Sequence, residues 1–114
     1  MNISDIQSIA SMTCLQGEYE DGVVFGGYTS DLLSDVMANA QEGSVLITIQ
    51  AHKNTVAVSS LTGVVAIIIC NSRPVTDDVL EAAKDEGIAI FRTTYNQFQS
   101  SSLIAQNLAG CPAR

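Results

Sequence analysis

VVAIIIC, residues 64–70, is an unbroken apolar run that is rich in β-branched side chains and carries no charge. The run is too short to cross a membrane. A strand that is apolar on both faces must be covered on both faces, which is typical of a central strand in a parallel sheet with helices on either side. We therefore interpret the rest of the chain as strand–helix units packed around this segment.

Four such units are predicted between residues 23 and 110. The predicted strands are residues 23–25, 45–50, 64–70 and 88–91. The predicted caps of the helices that follow them are Thr29 or Ser30, Asn54, Thr76, and Thr93 or Thr94, and the predicted terminators are Gly43, Gly63, Gly87 and Gly110. Residues 55–61 have equal strand character, but a helix is predicted there because two adjacent parallel strands need a crossover.

The leader, residues 1–22, is expected to be an accessory piece with a short amphipathic helix over residues 3–12, a brief strand at 13–16 and an acidic turn. Residues 23–110 hold the strand–helix units, and residues 111–114 are expected to be a frayed tail. The length of 114 residues predicts one domain, residues 1–114. The predicted fold class is α/β, a three-layer α/β/α arrangement with a mainly parallel sheet of about four to five strands.

The charge balance of the chain is acidic, with 12 Asp and Glu against 5 Lys and Arg and a net charge of −7. The basic residues are scattered along the sequence, so neither a nucleic-acid partner nor an anionic membrane surface is predicted. The hydrophobic fraction of 46% is high for a small soluble chain. It favours a homodimer that buries part of this apolar surface between subunits.

The three cysteines, Cys14, Cys70 and Cys111, are widely spaced and form no CxxC pair. No metal and no other cofactor is therefore expected, and reduced thiols in the cytoplasm are favoured. The N-terminal stretch MNISDIQSIASM lacks the basic start and apolar core of a signal peptide, so export is not indicated.

Polar loops follow each predicted strand, and in open parallel sheets ligands collect outside the carboxyl ends of the strands. The sequence therefore predicts a ligand-binding edge there. The candidate ligand-binding residues are Gly27, Tyr28, Thr29, Ser30, Gln50, His52, Asn54, Asn71 and Arg73. No catalytic residue and no metal ligand is predicted.

The same residues also have structural interpretations. The Gly-Gly pair at 26–27 resembles a phosphate-binding turn, but neither GxGxxG nor GK[ST] is present, so a tight strand-to-helix turn is favoured. His52, the sole histidine, is a general base, a ligand contact, or a residue that only caps and hydrogen-bonds. Arg73 and Lys53 are anion contacts or solvated charges, and Cys70 is a nucleophile or a small buried residue.

Two stretches resemble the DRTGG domain family: GGYTSDLLSDVMANAQEGSVLITIQAHKNTVAV at residues 26–58 and VVAIIICNSRPVTDDVLEAAKDEGIAIFRTTYNQF at residues 64–98. The resemblance covers about residues 2–108. It is greatest to short stand-alone members of fermentative anaerobes, often encoded beside iron-only hydrogenase subunits, and the domain is also similar to the N-terminal, non-catalytic domain of the HPr serine kinase/phosphorylase. The letters that name the family do not occur here, and the corresponding stretches are residues 50–52 and 70–72.

The resemblance implies a regulatory or scaffolding module, not an enzyme, that forms a homodimer and binds a partner protein or a small ligand at the carboxyl edge of the sheet. A nucleotide or a phosphorylated metabolite is the implied ligand. Two alternatives stay open: a small enzyme that uses His52 with Cys70 or an Asp in the same crevice, and an accessory factor of an iron-only hydrogenase system. The absence of clustered cysteines argues against direct cluster binding.

Overall fold

The computed structural model describes residues 1–108 of the chain. In chain order the elements are a 3₁₀ helix (Ile3–Ser8), β1 (Met12–Gln16), β2 (Gly26–Thr29), α1 (Leu33–Asn39), β3 (Ser44–Thr48), α2 (Lys53–Thr62), β4 (Ala66–Ile69), α3 (Asp77–Glu86), β5 (Ala89–Thr93) and α4 (Gln97–Asn107). Strands and helices alternate from β2 onwards, as predicted. Among these helices there is none long and apolar enough to span a membrane.

The five strands form one sheet in the order β1-β5-β4-β3-β2. β4 lies inside the VVAIIIC run and is the central strand, and all four of its side chains are buried. The pairs β2–β3, β3–β4 and β4–β5 are parallel, whereas β1 runs antiparallel to β5. The mainly parallel sheet predicted from the sequence is therefore confirmed.

Side chains that alternate along the strands build one core on each face of the sheet. One core lies under α1, α2 and α3 and includes Ile67 and Ile69 of the central strand. The other lies under α4 and the 3₁₀ helix and includes Ile68 of the same strand and Phe91 of β5. This is the three-layer arrangement that an apolar central strand requires.

The segment with equal helix and strand character is a helix, because α2 provides the crossover between β3 and β4. It begins at Lys53 with His52 in the N-cap position, so the predicted cap, Asn54, lies inside the first turn instead. Gly63 and Gly87 end α2 and α3 as predicted. Both are left-handed, with φ of +80° and +67°, a conformation that glycine adopts without a steric penalty.

The first strand of the repeating units lies later than predicted. The sequence favoured residues 23–25, but the ladder with β3 runs through Gly26–Thr29. Residues 23–25 lead into it, and the Phe25 N–H donates to the carbonyl of Gly43 at 3.0 Å. Gly26 and Gly27 therefore lie inside β2, an edge strand of the sheet, and do not form the predicted strand-to-helix turn.

The two ends of the chain also differ from expectation. The leader is not an accessory piece, because β1 completes the sheet and the side chains of Ile3 and Ile6 are buried in the core. The predicted helix end at Gly110 and the tail, residues 111–114, lie outside the described residues.

The caps of the first repeating unit are corrected as well. Leu32, not Thr29 or Ser30, occupies the N-cap position of α1, and its side chain cannot accept a hydrogen bond there. The helix ends at Asn39, before Gly43, which adopts its left-handed conformation in the turn that enters β3.

The last helix begins later than predicted, because Thr93 belongs to β5 and Thr94 follows it. Asn96 caps α4: its side chain accepts from the Gln99 N–H at 2.8 Å. The Gln99 side chain in turn accepts from the Asn96 N–H at 3.0 Å. This reciprocal pair is a capping box built on amides.

Candidate functional site

The carboxyl ends of the four parallel strands lie at one edge of the sheet, which we call the rim. The loops at the rim are residues 30–32, 49–52, 70–76 and 94–96. Ligands of open α/β sheets bind in crevices at this edge. The rim is therefore where a ligand site is expected, although its first loop begins after Thr29 instead of after residue 25.

One carboxylate, that of Asp31, holds the rim together. Its Oδ1 accepts hydrogen bonds from the Thr48 hydroxyl, the Ile49 N–H and the Gln97 side-chain amide, each at 2.9 Å. These donors come from the end of β3 and from the start of α4. The predicted caps, Thr29 or Ser30, would place Asp31 in the first turn of α1, but Asp31 lies ahead of that helix and joins three segments of the fold.

The exit from the central strand is a tight turn at residues 70–73. Asn71 and Ser72 have φ of +60° and +51°, and the Arg73 N–H donates to the carbonyl three residues earlier at 3.3 Å. Two positive φ angles in succession are the pattern of a type I′ turn. The N–H groups of Asn71 and Ser72 each donate at 2.9 Å to carbonyls at the end of β5 and in the loop after it, which fixes the turn to the rim.

Replacing Ser72 with glycine is expected to raise the free energy of unfolding by about 0.5–1 kcal/mol, measured by urea denaturation. A left-handed serine costs about 1–2 kcal/mol, and the greater flexibility of glycine in the unfolded chain returns part of this. Ser34→Gly, at an exposed position inside α1, is the matched control and should be destabilising. A loss of stability in Ser72→Gly would contradict the assigned conformation of the turn.

A crevice of about 210 Å³ opens between the exit loops of β3 and β4, and we call it the β3–β4 crevice. It is lined by Ile49, Gln50, Ala51, His52, Arg73 and Pro74. Three predicted ligand-binding residues, Gln50, His52 and Arg73, therefore share one cavity. The side chains of His52 and Arg73 are exposed and have no hydrogen bond or ion pair within residues 1–108. Asn71 lies in the adjoining turn, and Asn54 is exposed on α2.

The other predicted residues belong to β2 and its exit and do not line this crevice. The hydroxyl of Thr29 hydrogen-bonds to the hydroxyl of Ser101 on α4 at 2.7 Å. Gly27 lies beside the same helix. Ser30 begins the loop after the strand, where its hydroxyl accepts from the backbone N–H of residue 32. These residues hold β2 against its neighbours.

Tyr28, a further candidate from β2, is occupied by a structural contact. Its hydroxyl donates to Asp35 Oδ2 at 2.8 Å, and the Asn39 amide donates to Oδ1 of the same carboxylate at 2.9 Å. The hydrogen bond from Tyr28 lowers the pKa of Asp35, and the same hydrogen bond raises the pKa of the Tyr28 phenol. Tyr28 therefore anchors β2 to α1.

Cys70, at the end of the central strand, is fully buried. Its Sγ donates to the hydroxyl of Ser100 on α4 at 3.4 Å. Burial raises the pKa of the Cys70 thiol, which keeps it protonated near neutral pH. A buried, protonated thiol is a poor nucleophile. Within residues 1–108 no hydrogen bond joins Cys70 to His52, so the form of the enzyme alternative that pairs these two residues loses its support.

The basic side chains, scattered in the sequence, are brought together by the fold. Of the four that the structure describes, Lys53, Arg73 and Arg92 lie at the rim, and Lys84 alone lies elsewhere, 3.1 Å from Glu18. Asp77 and Asp78 begin α3 at the same edge, but no carboxylate side chain lines the β3–β4 crevice. A wider cavity of about 540 Å³ at the opposite edge of the sheet contains Glu42 and no basic residue in its lining.

These features define an α/β domain with a polar, cation-bearing rim. Within residues 1–108 no cluster of His, Cys, Asp and Glu side chains is arranged to hold a metal ion. The sequence profile of the DRTGG domain matches residues 5–107, and the chain belongs to the DRTGG domain family. The resemblance stated from the sequence is confirmed.

One solved structure with a similar fold is described as the CBS and DRTGG domains of the regulatory region of Clostridium perfringens pyrophosphatase, complexed with its activator diadenosine tetraphosphate. The TM-score is 0.71, with 16% sequence identity over 91% of this chain. This chain corresponds to 46% of the length of that solved chain. No curated protein sequence matches the chain.

Proposed function

We propose that this DRTGG domain is a non-catalytic regulatory module that binds a nucleotide or a phosphorylated metabolite in the β3–β4 crevice. The observation that carries the proposal is the placement of charge. In a chain with a net charge of −7, three of the four described basic residues lie at the rim. The Arg73 guanidinium lines the crevice without a hydrogen bond or ion pair to any described residue. An unpaired guanidinium is suited to bidentate contact with a phosphate group.

The other groups of the crevice suit the remainder of such a ligand. The Gln50 amide has both donor and acceptor atoms, and the exposed His52 imidazole offers one of each when it is neutral. Ile49 and Pro74 supply apolar surface beside them. A volume of about 210 Å³ accommodates only part of a nucleotide, so the rest of the ligand would extend along the open rim.

Nucleotides are the first probes to use because the regulatory region with the similar fold was solved with a dinucleoside tetraphosphate activator. That region also contains CBS domains, and its ligand is a property of that protein. For the present chain the proposal depends on the cations of its own rim, above all on Arg73.

Arg73→Gln is expected to weaken the binding of ATP and of diadenosine tetraphosphate by about tenfold or more in isothermal titration calorimetry. The reason is the loss of a charge-assisted hydrogen bond of about 1.5–3 kcal/mol. Lys84→Gln removes the same charge from the exposed cation outside the rim and is the matched control, with affinity expected to be unchanged. Equal losses in both variants would indicate a net-charge effect. Unaltered binding in Arg73→Gln would exclude the β3–β4 crevice.

We also propose that the domain is a homodimer located in the cytoplasm. Support for a dimer comes from large apolar side chains that are exposed on the described chain: Val23, Phe25, Leu32, Met37, Leu61 and Phe98. Support for a reducing compartment comes from Cys14 and Cys70, which are both free thiols. Light scattering should give twice the monomer mass of 12.0 kDa, and a monomer would contradict the dimer. The association with an iron-only hydrogenase system stays a prediction.

A further inference from the structure

A second polar cavity, of about 290 Å³, lies on the far side of the turn at residues 70–73 from the β3–β4 crevice, and we call it the hydroxyl pocket. It is lined by Ser11, Thr13, Ser72, Arg92, Thr93 and Thr94. Five of these six side chains carry a hydroxyl and the sixth is a guanidinium. None of the six was among the candidate residues predicted from the sequence, because they come from β1, β5 and the turn, which are far apart in the chain.

The Arg92 guanidinium is half-buried and has no hydrogen bond or ion pair with any side chain of residues 1–108. No Asp or Glu lines the pocket. Arg92 is paired with Thr13 across the antiparallel strands β5 and β1, so the two side chains project from the same face of the sheet as direct neighbours. A half-buried cation without a counter-charge is costly in a protein, and it is stabilised when an anion binds.

The hydroxyls of the pocket have hydrogen-bond donors to spare. Ser11, Thr93 and Thr94 carry three hydroxyl protons. Two hydrogen bonds use these protons: Thr93 donates to Ser11 at 3.3 Å, and Ser11 and Thr94 share one proton at 2.6 Å. Ser11 Oγ also accepts from the Thr94 backbone N–H at 3.4 Å. One O–H of the Ser11–Thr94 pair is therefore free to donate, whichever of the two donates to the other. The hydroxyls of Thr13 and Ser72 make no hydrogen bond within the described chain.

We propose that the hydroxyl pocket is a binding site for a phosphate-type oxyanion, held by the Arg92 guanidinium and by the hydroxyls of Thr13, Ser72 and the Ser11–Thr94 pair. The pocket offers one positive charge and hydroxyl groups that are free to donate, and a tetrahedral oxyanion offers only acceptors and negative charge. A sugar or another neutral polyol would leave the guanidinium without a counter-charge. The oxyanion is either free phosphate or the phosphoryl group of a larger ligand.

This site does not depend on the function proposed for the β3–β4 crevice, since it has its own cation and its own cavity. The two sites lie on opposite sides of one turn, with Ser72 facing the hydroxyl pocket and Arg73 the crevice. A ligand with two separated phosphoryl groups could therefore occupy both. In that case the two arginines would contribute to one affinity.

The test is calorimetric titration of the full chain with inorganic phosphate. Arg92→Gln is expected to weaken phosphate binding by about tenfold or more, and Thr13→Val, which removes a hydroxyl from an exposed residue at nearly constant size, by about threefold to tenfold. Arg92→Lys keeps the charge without the planar fork and should be intermediate. Lys84→Gln removes a charge outside the rim and should leave phosphate binding unchanged, which excludes a net-charge effect. Circular dichroism of each variant confirms that it is folded.

ATP distinguishes the two sources of the oxyanion. If phosphate competes with ATP in the wild-type protein and this competition is lost in Arg92→Gln, the pocket binds the phosphoryl group of the larger ligand. If phosphate binds independently of ATP, the pocket is a site for the free ion. If phosphate binds and ATP does not bind at all, the pocket is again a site for the free ion, and nucleotide binding in the β3–β4 crevice is refuted. The proposal is overturned if the wild-type protein binds no phosphate at millimolar concentrations. It is also overturned if Arg92→Gln and Thr13→Val bind phosphate as the wild type does.

Discussion

Phe91→Ala is expected to lower the free energy of unfolding by about 3–5 kcal/mol, as measured by urea denaturation monitored by circular dichroism. Phe91 lies in β5, between the central strand and the antiparallel strand β1, and its side chain is fully buried under the 3₁₀ helix and α4. Truncation therefore removes apolar contacts and leaves a cavity where the leader joins the core. The decrease in the free energy of unfolding measures how much the packing of the leader against β5 contributes to stability.

Phe98→Ala makes the same chemical change at a site that is 83% exposed and serves as the control. Its effect on the free energy of unfolding of the monomer, measured at a protein concentration too low for dimerisation, is expected to stay within about 0.5 kcal/mol. A small effect of Phe91→Ala would contradict the packing of the leader against β5. An equally large effect of Phe98→Ala in a monomer would show that this face of α4 is covered within the same chain.

Asp31→Ala is expected to cost about 2–4 kcal/mol of stability, because it leaves three donors at the rim without their acceptor. One of them, the Thr48 hydroxyl, belongs to a fully buried residue, and another is the backbone N–H of Ile49. The same variant should weaken nucleotide binding, since the exit loop of β3 that lines the crevice depends on this carboxylate. Urea denaturation and calorimetric titration measure the two effects separately.

Asp31→Asn keeps an acceptor oxygen without the charge and should lose roughly half as much stability. Asp85→Ala, at an exposed position on α3 with no hydrogen-bond partner in the described chain, should be close to neutral. A near-neutral result for Asp31→Ala would show that the three contacts to its carboxylate contribute little to the rim.

The features that the sequence predicted correctly are those set by local pattern or by the connection rules of parallel sheets. The VVAIIIC run had to be covered on both faces, and it is the central strand of the sheet. Residues 55–61 could be assigned only from topology, since their side chains favour helix and strand equally, and the need for a crossover gave the correct answer. Gly63 and Gly87 ended their helices as predicted because the left-handed conformation favours glycine on local grounds.

The features that the sequence did not predict depend on partners distant in the chain. Gly26 and Gly27 indicated a turn, but both lie in β2, and their place in a strand depends on pairing with β3, which is distant in the chain. The leader appeared accessory because nothing local shows that β1 pairs with β5, which lies more than seventy residues away. Asp31 fitted a helix start equally well, and its true role requires donors from β3 and α4.

The candidate site was predicted only in part, because some of its residues depend on pairing between segments that are distant in the chain. Gln50, His52 and Arg73 share a crevice because exit loops of neighbouring parallel strands meet, which topology alone predicts. The hydroxyl pocket needs β1 to lie antiparallel beside β5, and this pairing was not foreseen. The basic residues were scattered in the sequence, and only the fold brings three of them to one edge.

Nucleotide binding at the rim is tested most directly by titration of ¹⁵N-labelled protein with ATP and with diadenosine tetraphosphate, followed by amide chemical-shift mapping. A ligand bound at the rim should produce the largest shifts at the amides of residues 49–54 and 71–73, with a second group at residues 11–13 and 92–95 if both cavities are occupied. Shifts centred instead on the cavity beside Phe25 and Glu42, at the opposite edge of the sheet, would contradict it. The absence of any chemical-shift change with either nucleotide would also contradict it.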